Sequence, residues 1–270
     1  MLIQKAYLVF LISFLLCFLL SFGKRTKYCG DKWSQREICS LGGIGIFISV
    51  FLFSDNPIVL WGGLLFLLGL IDDIFDLKAK TKLFWQVLII MFFISGFRLE
   101  WFENRIVDLV VTFAWLLVIT NSFNLLDNMD GLASGIAIIA LVFFLCIYTS
   151  ELGYVMLGAI AGFLLLNFPP ARIYMGDSGS LFIGFVLAAM IGQGNTILSS
   201  VSVFILPITD TVFVIVRRTL NKKSIFKGGT DHLSHTLMKQ LGFIDREAIW
   251  LLYWLSFLGT LVIIFWGSCC

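Results

Sequence analysis

The chain has 270 residues, 59% of them apolar, 16% aromatic and only 13% charged, with a formal net charge of +2. A soluble domain carries roughly 45–50% apolar and about 25% charged residues, so a soluble domain is excluded, while the net charge is uninformative by itself. The apolar runs lack the polar/apolar alternation of an outer-membrane barrel, which leaves an all-α integral membrane protein whose backbone polar groups are satisfied within helices.

Taken in chain order, apolar runs between charged or Gly/Pro-marked breaks predict about ten membrane helices, near 3–22, 40–54, 57–71, 83–97, 106–121, 132–150, 153–168, 181–194, 197–216 and 247–266. Several are shorter than the ~20 residues that a perpendicular span needs, so these are expected to borrow loop residues or to be partly re-entrant. The first run is followed by Lys24-Arg25 and no small-x-small cleavage site precedes that pair, so a retained anchor is expected rather than a signal peptide. Cys17, Cys29, Cys39, Cys146, Cys269 and Cys270 have no CxxC spacing, which points to neither a zinc site nor a disulfide framework. With no internal repeat or low-complexity tract, residues 1–270 read as a single polytopic membrane domain.

Orientation follows from the basic residues, because cytoplasmic loops carry excess Lys and Arg. Placing the N-terminus outside makes 23–39, 72–82, 122–131, 169–180 and 217–246 the inside loops, and these hold 16 of the 19 Lys and Arg residues. Only Lys5, Arg98 and Arg105 remain outside. The expected topology therefore has both termini out.

On that topology every polar cluster falls at the cytoplasmic face: DDIFD (72–76), NSFNLLDNMDG (121–131), NFPPARIYMGDSGS (167–180), ITD (208–210) and GGTDHLSH (228–235). A single carboxylate at a span end is compatible with a solvated helix terminus, but acidic residues at five such ends, beside Asn, His and Gly, point to one site. In DDIFD, Asp72 and Asp76 are expected on one helix face with Asp73 about 100° round, and their repulsion calls for a cation: Lys78, Lys80, Lys82 or a divalent metal. Asn121, Asn124, Asp127 and Asp130 step by three and are expected to line one helical face with oxygens. Asp177, between Gly176 and Gly179 ahead of a span, suits a phosphate or metal–phosphate at a helix N-terminus. His232 and His235 lack the third ligand of a zinc set, and in a loop with seven basic residues they are expected to contact an anion.

DDIFDLKAK, NSFNLLDNMDGLASG, FPPARIYMGDSGSLFIGF, PITDTVFVIVRR and GGTDHLSH, in that order over roughly residues 40–240, resemble the polyprenyl-phosphate N-acetylhexosamine-1-phosphate transferases (glycosyltransferase family 4). The likeness is closer to the undecaprenyl-phosphate N-acetylglucosamine-1-phosphate transferase branch than to the phospho-N-acetylmuramoyl-pentapeptide transferase branch. It implies a ten-span enzyme of the bacterial inner (cytoplasmic) membrane, with its active site on the cytoplasmic face. The implied reaction is attack by undecaprenyl phosphate on the β-phosphorus of a UDP-N-acetylhexosamine, giving the lipid-diphospho-sugar that initiates cell-envelope polysaccharide synthesis and releasing UMP. The implied cofactor is Mg²⁺, with Mn²⁺ a candidate substitute. The partners so implied are those two substrates, membrane lipids and, as a candidate, a second copy of the chain in a homodimer, with no nucleic acid.

Carried over by motif, Asp72 and Asp73 match the aspartate pair associated with the lipid phosphate and catalysis. Asp177 matches the magnesium-binding aspartate, with Asp127 expected beside it at the metal. Asn121, Asn124, Asp130 and Asn167 are expected to bind substrate, and so are Arg217, Arg218, His232 and His235, which would hold the UDP-sugar phosphates. Two departures bear on sugar specificity more than on reaction class: Ser234 stands where a histidine is common, and the loop before Gly42-Gly43 lacks the usual Pro- and His-containing pattern. A phosphate monoester is roughly 90% dianionic at pH 7, its second pKa being about 6, so direct attack is expected, with Asp72 or Asp73 orienting or deprotonating the acceptor. The rival enzyme reading is an intramembrane prenyltransferase using DDxxD-bound magnesium diphosphate, which calls for a second aspartate-rich motif. The non-enzyme rival is a lipid or ion transporter, which calls for ionisable residues at span midpoints and inverted repeats.

Overall fold

The computed structural model describes residues 1–23, 26–27, 37–194, 196–224 and 231–267. Twelve helices lie among them: α1 Leu2–Leu20, α2 Gly42–Phe53, α3 Pro57–Phe75, α4 Ala79–Gly96, α5 Arg105–Leu126, α6 Leu132–Ile147, α7 Glu151–Asn167, α8 Gly176–Gly194, α9 Ile197–Val203, α10 Ile205–Leu220, α11 Leu233–Leu241 and α12 Asp245–Gly267. A two-residue antiparallel ladder pairs β1 Thr26–Lys27 with β2 Glu37–Ile38. Five helices (α1, α3, α4, α5 and α8) are long and apolar enough to cross a membrane, and six if the bent α9–α10 pair counts as one span; α2, α6 and α7 are shorter apolar helices.

Helix starts follow local chemistry. The Asn56 side chain accepts from Ile58 N with Pro57 at the first position of α3, Asn104 accepts from Ile106 N and Val107 N at α5, and Ser150 accepts from Gly153 N at α7. Helix α8, apolar all round over LFIGFVLAAMI, is buried continuously from Leu181 to Ile191, with α3 and α5 packed against it. Helix α1 is equally apolar but leaves Ile3, Tyr7, Leu8, Leu11, Leu15 and Leu19 exposed, an outer face suited to lipid. Its inner face docks on α7, where Gly158 and Gly162 lie against the α1 backbone at Ala6 and Phe10 and Ser13 Oγ donates to Ala159 O (2.7 Å). This is the small-xxx-small packing by which membrane helices approach closely.

The ten expected runs each coincide with a helix, but their ends differ in one consistent way. α3 runs on to Phe75, so Asp72 and Asp73 are helical; α4 begins at Ala79, so Lys80 and Lys82 are helical; α5 continues to Leu126, taking in Asn121 and Asn124; and α8 starts at Gly176 rather than 181. A helix need not stop at its first polar residue when another helix supplies that residue's partner. The expected span 197–216 is instead broken, α9 and α10 meeting at Phe204 with a 75° bend. Lys24, Arg25, Lys32, Arg36 and Lys227, used to orient the chain, lie outside the described residues.

Strand-like pairing fixes the MGD segment. Tyr174 N donates to Cys39 O (2.8 Å), then Gly42 N to Tyr174 O (2.9 Å) and Gly43 N to Met175 O (2.9 Å), so residues 173–175 satisfy the first N–H groups of α2. Gly43 and Gly179 then touch, and a Cβ on Gly43 would also meet Ser178 Oγ at 2.7 Å. Overpacking of this kind costs about 1–3 kcal/mol. Gly43→Ala is therefore expected to lower the thermal midpoint in detergent; an unchanged midpoint would show that α2 and α8 can separate freely.

Candidate active site

Four helix ends meet at one end of the bundle. The C-terminal turn of α3 brings Asp72 and Asp73, the first turn of α4 brings Lys82, the last turn of α5 brings Asn124 with Asp127 as its C-cap, and the first turn of α8 brings Asp177. Lys82 Nζ is the hub: it pairs with Asp72 Oδ2 at 3.0 Å, pairs with Asp177 Oδ2, and donates to Asn124 Oδ1 at 3.2 Å. Asn124 Nδ2 in turn donates to Asp177 Oδ1 (2.8 Å) and Ser180 Oγ (2.9 Å). Of the three lysines able to offset the DDIFD charge, the fold selects Lys82, while Lys78 and Lys80 are exposed.

Asp73 occupies the place expected for a bound phosphate. Its Oδ1 accepts from Asp177 N (2.8 Å) and its Oδ2 from Ser178 N (3.0 Å), so the first N–H groups of α8 are already taken by a carboxylate. Gly176 permits this approach: its φ is +73°, and a Cβ there would stand 2.7 Å from Asp73 Oδ2. Asp72 Oδ1 accepts from Leu77 N at 2.7 Å, closing the end of α3. The expected shared face of Asp72 and Asp76 is absent because α3 ends at Phe75, and Asp76 adopts the left-handed C-cap (φ 51°). Among the described residues its exposed carboxylate has no hydrogen bond or ion pair, with Lys80 or any other group.

The Asn/Asp series is not one face. Asn121 and Asn124 are on α5, but Asp127 caps it and Asp130 lies in the following turn, where its Oδ2 accepts from Ala171 N (2.8 Å). Asn121 Nδ2 donates to Gln86 Oε1 and Leu117 O, both at 2.8 Å, one turn deeper than Lys82. Burial, with the charges of Asp177, Asp73 and Asp130 adding to it, pushes the Asp127 carboxyl well above the usual carboxylate range.

Asn167, expected at substrate, is tied into the fold: its buried side chain accepts from Gly131 N (2.9 Å) and Ser134 Oγ (3.1 Å) and donates to Ile173 O (3.0 Å), which holds two loops together. Each buried group left without a partner costs about 1–3 kcal/mol. Asn167→Leu is thus expected to lower the thermal midpoint strongly, whereas a lost substrate affinity with an unchanged midpoint would restore a binding role.

A second cluster stands beside the first. Asp210 on α10 accepts from Leu233 N (2.8 Å) and lies 2.8 Å from His232 Nδ1, anchoring the start of α11. Arg217 Nη1 donates to Thr236 Oγ1 (2.7 Å), and Arg218, buried, pairs through Nε with Asp231 Oδ2 at 3.2 Å. Both arginines, expected at phosphate, engage protein partners here, Arg217 on α11 and Arg218 at Asp231 just before it. His235 is buried beside His232, with ring centroids 6.3 Å apart. Thr211 Oγ1 to Ser122 Oγ (2.9 Å) ties α10 to α5 and hence to the carboxylate cluster. Gly228 and Gly229 of the GGTDHLSH motif lie outside the described residues.

Gln86, Asp231 and Asn128 were not singled out by sequence, and Asp210 was left without a role. Gln86 had a signal: one amide inside the run LFWQVLIIMFF, a helical turn from Lys82. Asp231 stands in the GGTDHLSH string directly before His232.

An α-helical membrane protein that gathers carboxylates, a buried lysine and asparagines from four helix ends defines a class built to handle phosphates and cations. The chain belongs to glycosyl transferase family 4, whose model matches residues 57–195. It is 32% identical to the probable undecaprenyl-phosphate N-acetylglucosaminyl 1-phosphate transferase of Bacillus subtilis, over 86% of this chain and 75% of that one. It is 34% identical to the undecaprenyl-phosphate alpha-N-acetylglucosaminyl 1-phosphate transferase of Thermotoga maritima, over 86% and 80%. It is 28% identical to the phospho-N-acetylmuramoyl-pentapeptide-transferase of Staphylococcus haemolyticus, over 86% and 89%.

Proposed function

We propose that the protein transfers N-acetylhexosamine 1-phosphate from a UDP-sugar to undecaprenyl phosphate, releasing UMP and leaving a lipid-diphospho-sugar. The observation that carries this reading is the Lys82 knot, in which Asp72, Asp177 and Asn124 from three other helices converge on one ammonium. The names of the family relatives agree with it.

The donor set fits Mg²⁺. Among the described residues no three His, Cys, Asp or Glu side chains form a preformed cage, but Mg²⁺ is commonly held by one or two carboxylates with substrate phosphates completing its shell. Asp177 and Asp127 are the residues that would hold it, as hard oxygen donors in a cluster where acidic groups outnumber the one lysine. Bound there, it would neutralise the diphosphate and polarise the leaving group.

In the transfer itself, an acceptor phosphate oxygen forms the new bond to the β-phosphorus. The bond from that phosphorus to the bridging oxygen breaks, and UMP leaves with the electron pair. The acceptor is already mostly dianionic, so no proton needs to move. That agrees with Asp72 and Asp73, whose oxygens are engaged by Leu77 N, Lys82 and the N–H groups of α8. Asp73 then acts by fixing Asp177, and Asp72 by fixing Lys82, whose ammonium holds Asp72 and Asp177 together against their mutual repulsion. Net inversion at a chiral β-phosphorothioate donor is the expected outcome; retention would require a phospho-aspartate and overturn direct attack.

The site end of the bundle is proposed to face the cytoplasm in a ten-span arrangement with both termini outside, in the bacterial inner membrane. Lys78, Lys80, Lys82 and Arg172 stand at that end, whereas Arg98 and Arg105 flank the far turn between α4 and α5. Against a prenyltransferase, the third aspartate of DDIFD has left the helix. Against a transporter, the ionisable groups collect at one end rather than at span midpoints.

The test is purified protein in detergent with undecaprenyl phosphate, Mg²⁺ and a panel of UDP-N-acetylhexosamines, scored for UMP. Release with one donor supports the reading and names the sugar; no release with any donor overturns it.

A further inference from the structure

Ser234 and Asn128 link the histidine-bearing helix to the aspartate-bearing turn. Ser234, buried on α11 between His232 and His235, donates through Oγ to Asn128 Oδ1 at 2.8 Å. Asn128 follows Asp127 directly, and its Nδ2 donates to Leu125 O (2.8 Å), so its amide is held with Oδ1 turned to the serine. The anchors described above, Asp210 to His232 and Leu233 and Arg217 to Thr236, tie α11 to α10. The Ser234–Asn128 bond runs instead to the end of α5, and so sets the distance between His232 and His235 on one side and Asp127 on the other.

We propose that Ser234 and Asn128 are positioning residues for the nucleotide-sugar donor, a role that rests on the transferase reading above. The donor is the substrate that the motif resemblance sets against His232 and His235, and the Ser234–Asn128 bond holds the helix that carries His235 to the 127–131 turn. Asp72 and Asp73, which the motif resemblance sets on the acceptor side, are fixed by Leu77, Lys82 and the start of α8 and share no partner with this bond. A serine thus stands where related motifs commonly carry histidine, and its hydroxyl serves as an internal tie.

A hydrogen bond of this kind is worth about 3- to 10-fold in an equilibrium. Steady-state kinetics on Ser234→Ala, Asn128→Ala and the double variant are expected to show donor KM raised about 3- to 10-fold in each. The double variant should be no worse than Asn128→Ala alone, because that change already removes the shared bond together with the Leu125 contact. Acceptor KM should stay at the wild-type value, and Ser234→Thr, which keeps the hydroxyl, should restore donor KM. Equal losses for donor and acceptor, additive effects in the double variant, or a lower thermal midpoint with unmoved donor KM would each overturn the assignment. Wild-type protein that releases no UMP overturns the transferase reading and this role with it; an active wild type with unmoved donor KM in the variants overturns only the role.

Discussion

Asp177→Asn is expected to lower kcat for UMP release by at least about 10²–10³-fold, the usual loss when a preorganised electrostatic group is removed. The substitution preserves shape: an amide oxygen can still accept from Asn124 Nδ2, and Lys82 keeps its 3.0 Å pair with Asp72. The thermal midpoint should fall, but less than in Lys82→Met, because Asp72 still pairs with the lysine; a rate loss out of proportion to that fall separates the lost charge from a lost fold. Raising Mg²⁺ should recover part of the rate if the carboxylate holds the metal, since a weakened site fills at higher concentration. Wild-type Mg²⁺-dependent turnover in this variant would refute the metal role.

Lys82→Met is expected to damage both stability and activity. The side chain is only 12% exposed and neutralises Asp72 and Asp177, whose side chains are 11% and 34% exposed. Removing one partner of a largely buried ion pair costs about 3–5 kcal/mol, because the remaining charges stay desolvated and face each other. The thermal midpoint should fall, and added Mg²⁺ should raise it more in the variant than in the wild type, a divalent cation taking over the lost neutralisation. Lys82→Arg should not restore activity, since a planar guanidinium cannot replace a compact ammonium among three acceptors. A variant as stable and as active as wild type would show that the cluster does not depend on this lysine.

Much of the site could be read from the sequence because its chemistry is local. The Asp72-Asp73 pair, the MGD turn and the DHLSH string each announce polar groups beside apolar runs; the first two meet in space at Asp177, and the third is tied to the turn after α5 through Ser234 and Asn128. Where periodicity was extended past a helix end it failed. Asp76 and Asp130 follow the spacing of their neighbours, but α3 stops at Phe75 and α5 at Leu126, and beyond those points the chain obeys turn geometry. Asn167 shows the opposite limit: its amide looks like a ligand contact in the string NFPPARIYMGDSGS, yet it is consumed by Gly131, Ser134 and Ile173.

By itself the sequence determined the solvent this protein lives in, the placement of its helices and the order of its polar motifs, because composition and hydrophobic run length are properties of neighbours along the chain. Tertiary structure alone decided which lysine joins the aspartates, that Asp73 rather than a phosphate caps α8, and that Arg217 and Arg218 turn toward α11. Those choices depend on partners about 10 to more than 100 positions apart in the chain, such as Asp73 and Ser178, and on glycines such as Gly43 and Gly176 that let backbones meet. A charge in low dielectric is worth what its nearest partner makes it, and the nearest partner is a fact of packing.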